Sequence, residues 1–147
     1  MIPINYSQEP LKTKTEAGTE LVFDPLRKAW VKLTPEEWVR QHFLQVLVST
    51  MRYPPALIAV EKEIRLGELK KRFDILVFNR RQEPWMLVEC KAMDVALSTD
   101  VIEQVLRYSI TVPAPYLVIT NGAFCFGWER GAGGLLEMSG LPEFPET

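Results

Sequence analysis

The sequence predicts an α/β domain in which a mixed β-sheet is flanked by α-helices. Three observations predict it. Residues 73–91, FDILVFNRRQEPWMLVECK, read as two strands that are apolar on both faces and joined by a polar loop, which suits central, doubly covered strands. Segments 34–51 and 98–112 carry apolar residues at helical spacing behind good capping residues. The resulting order of helix, strands, helix, strand, strand packs naturally as one sheet between two helices.

Each element has its own justification. Residues 1–18 lack periodicity and read as an irregular, extended or partly disordered lead-in to a single domain over 19–139. Residues 20–24 and 29–33 alternate enough to predict a short hairpin around 25–28. Thr34 is a good N-cap, Pro35 suits the first helical position, and Glu37 completes a capping box, with Leu33 and Trp38 as its hydrophobic staple. Trp38, Val39, Phe43, Val46 and Leu47 should form the buried face of that helix, which ends near Met51. A strand over 57–66 turns at Gly67 and returns as the first central strand, 69–79. Ser98 caps the second helix, 99–112, with Val101, Ile102, Val105, Leu106 and Ile110 on its buried side. A β-branched strand over 116–120, a hairpin turn at Asn121-Gly122, a return strand over 123–129 and a short edge strand over 135–138 follow. The Pro-rich residues 140–147 read as a loose tail.

Composition sets bounds. A chain of 147 residues, 47% hydrophobic and 24% charged, is ordinary for one soluble domain. No apolar run reaches the length of a membrane span, and the N-terminal MIPINYSQEP has no signal-peptide core. Cys90, Cys125 and the lone His42 make no zinc pattern, so a reduced, cytoplasmic protein is expected, with Cys90 a small buried hydrophobe and His42 a packed residue. A net charge of −2 does not advertise nucleic-acid binding. Any basic surface must be local, and Lys70-Lys71-Arg72 and Arg80-Arg81 are the candidates, with solvated turns as the plain alternative.

The chemistry gathers around the central pair. If the hairpin is symmetric about Arg81 and Gln82, Asp74 lies opposite Glu89, with Cβ atoms about 5 Å apart. Carboxylates that close repel each other, and a divalent cation between them is the usual remedy. Glu89 and Lys91 are two apart on a strand and share a face. A salt bridge to Lys91 or Arg72 is the structural alternative.

These residues resemble the PD-(D/E)XK nuclease superfamily. Asp74 followed by Glu89-Cys90-Lys91 matches its metal-binding core, Thr34-Pro-Glu-Glu-Trp-Val-Arg40 its acidic helix start, and Gln104-x-x-x-Tyr108 the Q-x-x-x-Y motif of its RecB-like branch and of type I restriction enzymes. With the strand ending Thr120-Asn121-Gly122, the chain looks most like the N-terminal nuclease domain of type I restriction enzyme R subunits in a small stand-alone form, over about 21–129. Phe73 stands before Asp74 where the superfamily name has proline, and no helicase motor follows.

The resemblance implies a restriction-endonuclease-like fold and a Mg²⁺-dependent endodeoxyribonuclease, Mn²⁺ substituting. Asp74 and Glu89 would ligate the metal, the Cys90 backbone carbonyl would add a ligand, and Glu37, or its neighbour Glu36, would complete the metal shell. Lys91 would orient the attacking water or stabilise developing charge. Gln104 and Tyr108 share a helical face and would position the lysine or contact the DNA backbone. DNA is the expected partner, with a recognition or motor subunit beside it, and an oligomer is compatible with the family. The alternative is a catalytically silent nuclease-fold module that binds nucleic acid or a protein.

Overall fold

The first strands stand apart from the rest. In the computed structural model, which describes residues 1–6 and 9–147, β1 (Thr13–Glu16), β2 (Thr19–Asp24) and β3 (Ala29–Lys32) form an antiparallel sheet of their own. The predicted hairpin is β2–β3. β1 lies within the stretch read as irregular, and Ile2 is buried, its N–H bonded to the Cys125 carbonyl at 2.8 Å. Gly127 makes room for it, since a Cβ there would stand 2.8 Å from the Ile2 Cδ1. The part of the lead-in reading that falls on Ser7 and Gln8 lies outside the described residues.

Helix α1 (Pro35–Gln45) begins where its cap predicts, with the Thr34 hydroxyl accepting from the Glu37 N–H at 3.1 Å. The capping box closes on one side only, because the Glu37 carboxylate bonds to Arg27 and Gln41. The helix continues as a wider turn with i→i+5 bonding, Val46–Thr50, before the prolines. Val39, Phe43, Val46 and Leu47 are buried as expected, but Trp38 is 37% exposed and lies against His42, ring centres 4.1 Å apart.

β4 (Ile58–Leu66), β5 (Leu69–Phe78), β6 (Pro84–Cys90), β7 (Tyr116–Thr120), β8 (Cys125–Gly131) and β9 (Gly134–Glu137) follow each other in one six-stranded sheet in sequence order. Only β6 and β7 pair in parallel, which the crossover through helix α2 (Thr99–Ser109) permits. The sheet is therefore mixed and flanked by helices, as the sequence predicts. One core, with Val39, Phe43, Leu47, Ile75, Val77, Met86, Val88 and Val118, lies beneath α1. A smaller one, with Phe73, Leu76, Leu87, Val112 and Leu117, lies on the side of α2.

α2 stops earlier than its pattern suggests, and Ile110, expected inside, is 44% exposed. Val105 and Ser109 carry the burial instead. The turn after β7 spans four residues, since Thr120 pairs with Cys125, and the Asn121 side chain holds it by accepting from the Ala123 and Phe124 N–H groups. The closing segment has no regular element, yet it is not loose. Phe144 packs among Tyr53 and Trp85, and the Pro142 carbonyl accepts the Tyr53 hydroxyl. An apolar ring and a buried phenol needing an acceptor tie it down.

Candidate active site

The candidate site lies where two strands part. β5 and β6 pair with Ile75 opposite Val88, Leu76 opposite Leu87 and Val77 opposite Met86. That register, carried one residue further, sets Asp74 level with Glu89, as the symmetric hairpin predicts. The pairing ends there. β5 goes on toward Leu69 beside β4 alone, while Glu89 and Cys90 pair with Ile119 and Thr120 of β7. Asp74 spans the fork, its Oδ2 accepting from the Cys90 N–H at 2.7 Å.

Burial pushes the Glu89 carboxyl up to about 8, with the negative charge of Asp74 adding to the effect and Lys91 opposing it. Two acids thus compete for one low-dielectric place, and a proton on Glu89 relieves them when no cation does. Glu89 and Lys91 open onto a cleft of about 390 Å³, lined also by Arg72, Gln104, Val105 and Tyr108. Gln104 and Tyr108, one helical turn apart on α2, also line an adjoining recess with Asp100 and Arg107. So Glu89, Lys91, Gln104 and Tyr108 share one cleft, and Asp74 lies next to it beside Glu89 and Cys90.

Glu37 is held differently. Its Oε1 accepts from Arg27 at 2.7 Å and its Oε2 from Gln41 at 3.1 Å, with Arg40 Nε at 3.3 Å. Arg27 also binds Asp24, and Arg40 also binds Glu61 on β4. This mostly buried network joins the small sheet, α1 and β4. Among the described residues no group of three or more His, Cys, Asp and Glu side chains is arranged to hold a metal ion. Glu36 is exposed. Cys90 and Cys125 are buried free thiols, and burial pushes both well up, so neither suits nucleophilic work. Burial lowers the His42 pKa, as befits a packed ring.

Sequence reasoning did not find the network. Its one local signal was Asp24-Pro-Leu-Arg27, in which the Asp24 Oδ1 accepts from the Leu26 and Arg27 N–H groups. Arg72 was legible as part of a basic cluster and as a salt-bridge partner for Asp74 or Glu89, whereas the carboxylate it pairs with is Glu61.

Residues 35–145, most of the chain, match the family model for the type I restriction enzyme R protein N terminus. The chain belongs to that family. Among curated proteins none matches it. Of solved structures, the type IIG restriction endonuclease BpuSI is similar at 19% identity and a TM-score of 0.48, over 72% of this chain and 13% of the other. A candidate nuclease of the DUF820 group from Anabaena variabilis is similar at 12% identity and a TM-score of 0.45, over 79% of this chain and 75% of the other. This member of the R-protein N-terminal family has an α/β fold, with the six-stranded mixed sheet and two flanking helices described above. No helix among its described residues is long and apolar enough to cross a membrane.

Proposed function

We propose that the chain is a Mg²⁺-dependent nuclease that hydrolyses phosphodiester bonds in DNA. The observation that carries this reading is the pair Asp74 and Glu89, set level at the fork of β5 and β6, with Lys91 sharing a cleft with Glu89. The donor set fits the ion. Mg²⁺ prefers hard oxygen ligands, is commonly held by one or two carboxylates, and leaves its remaining positions to water and substrate phosphate. A third protein carboxylate is therefore not needed, which suits the engagement of Glu37 with Arg27, Arg40 and Gln41. Asp74 and Glu89 would hold the ion, with the Cys90 carbonyl beside them, and Mn²⁺ would substitute. Bound there, the ion would supply Lewis-acid polarisation of the phosphodiester.

The protein groups do the rest. Water adds to phosphorus, the P–O ester bond breaks, and the leaving oxygen takes up a proton. Lys91 orients the water or offsets the charge that develops on the phosphoryl oxygens. Gln104, across the cleft, has the amide to hold a phosphate oxygen or that water. Glu37 reaches the cleft only indirectly, holding Arg40, which shares Glu61 with Arg72. A soluble, cytoplasmic setting and a partner subunit for recognition or translocation suit the family's type.

The test is incubation with supercoiled and linear DNA in Mg²⁺, against chelator and against Lys91→Ala. Nicking or linearisation that needs both the ion and Lys91 is expected. DNA binding with no cleavage in Mg²⁺ or Mn²⁺ would place the chain with the non-cutting module.

A further inference from the structure

At the fork, the edge of β5 that faces β6 loses its strand neighbour, because the pairing stops after Ile75 and Val88 while β6 goes on beside β7. Backbone groups on such an edge need other partners. Tyr108 supplies one. Its hydroxyl accepts from the Arg72 N–H at 2.8 Å and donates to the Arg72 carbonyl at 3.3 Å. Its ring stands edge-on to Phe73, centroids 5.8 Å apart, with the Lys71 ammonium 4.1 Å from its centre. One side chain of α2 therefore fixes the backbone from which Arg72 leaves, two residues before Asp74.

The Arg72 side chain, 65% exposed, lines the cleft with Glu89 and Lys91. It pairs with Glu61 at 3.3 Å, but Arg40 and Arg27 also hold Glu61, at 3.3 and 3.8 Å. Arg72 can turn toward an incoming anion without leaving that carboxylate unpaired. Glu89 lines this cleft with Asp74 next to it, and such acids repel a phosphodiester unless cations offset them. A guanidinium is suited to this, since its planar fork bonds two phosphate oxygens at once.

We infer that Arg72 binds a phosphate of the nucleic-acid backbone beside the bond being cut, and that Tyr108 is the positioning residue that aims it. This deepens the nuclease reading and rests on it. The test is binding of a short fluorescent DNA duplex, with Ca²⁺ in place of Mg²⁺, across a salt series. Wild type, Arg72→Gln, Arg72→Lys, Tyr108→Phe and the Arg72→Gln/Tyr108→Phe double variant are compared, with melting curves for each. Arg72→Gln should weaken binding about tenfold and flatten the salt dependence by about one phosphate contact. Arg72→Lys should recover part of the loss. Tyr108→Phe should weaken binding by itself and add nothing to Arg72→Gln. If Arg72→Gln binds like wild type, or the two losses multiply, the inference is overturned. If the wild type binds no DNA even at low salt, the nuclease reading falls and takes this inference with it. A Tyr108→Phe chain that does not fold leaves the Arg72→Gln and Arg72→Lys pair to decide.

Discussion

Asp74 reaches across the gap between two strands that have ceased to pair, and its carboxylate takes the Cys90 N–H at 2.7 Å. One residue thus has two jobs: it closes the backbone accounting at the fork, and it sets a negative charge against Glu89. The two are separable by substitution. Asp74→Asn keeps an acceptor for the Cys90 N–H and removes the charge, so it should fold at least as stably as wild type and lose cleavage. Asp74→Ala also removes the acceptor and should cost about 1–3 kcal/mol relative to Asp74→Asn. Denaturant unfolding of the two variants, beside a cleavage assay, checks both statements.

The pH dependence of stability should carry the mark of Glu89. Its folded pKa of about 8 lies above the ordinary value of 4.5. The folded chain therefore keeps a proton that the unfolded chain has released. The stabilisation is fully present below the ordinary value and is lost as pH rises toward 8. His42 titrates in part of this window with the opposite sign, since burial lowers its pKa. The clean readout is thus the difference between wild type and Glu89→Gln, measured by urea unfolding without metal. Wild type should lose a few kcal/mol more than the variant between pH 5 and 8 by roughly this linkage. Equal slopes would show that the burial of Glu89 does not set its protonation.

Glu37 should matter to stability more than to metal binding. Its carboxylate faces Arg27, Arg40 and Gln41, and Arg40 is buried. Glu37→Ala takes one carboxylate from both Arg27 and Arg40, leaving Arg27 to Asp24 and Arg40 to the half-exposed Glu61, and should destabilise by about 3 kcal/mol. Glu37→Gln should lose less and keep wild-type Mg²⁺ affinity. Loss of Mg²⁺ binding in a folded Glu37→Gln chain would make this glutamate a ligand after all.

The start of α1 gives a smaller, local prediction. Thr34 accepts from the Glu37 N–H as the N-cap. Thr34→Ala should cost about 1 kcal/mol, read as a lowered midpoint in denaturant with an unchanged slope.

The legible parts of this molecule are those fixed by local rules. The cap at Thr34, the cap at Ser98 and the strand runs at 73–78 and 85–90 appear where short-range chemistry puts them. The register that makes Asp74 and Glu89 neighbours agrees with a symmetric hairpin, but sequence alone did not fix it, because strands apolar on both faces carry no alternation to set it and the pairing shifts register between Val77 and Phe78. What was not readable depends on distant partners. Trp38 is partly exposed, with His42 rather than the core against its ring, and Ile110 is exposed because α2 ends one residue before it. The packed tail depends on a cavity edge made by Tyr53 and Trp85. The engagement of Glu37 needs Arg27, from a separate sheet, and no spacing within the helix announces it. The role of Tyr108 against Arg72 depends on the fork itself, a feature of pairing rather than of either strand.

The most direct test of the central claim is calorimetric titration of Mg²⁺ into the wild type, Asp74→Asn and Glu89→Gln at neutral pH, repeated in buffers of different ionisation enthalpy. The account predicts one site in the wild type, absent from both variants. Its binding should release close to one proton, because Glu89 must give up the proton it holds. Equal Mg²⁺ binding by all three chains, or wild-type binding with no proton released, would contradict it.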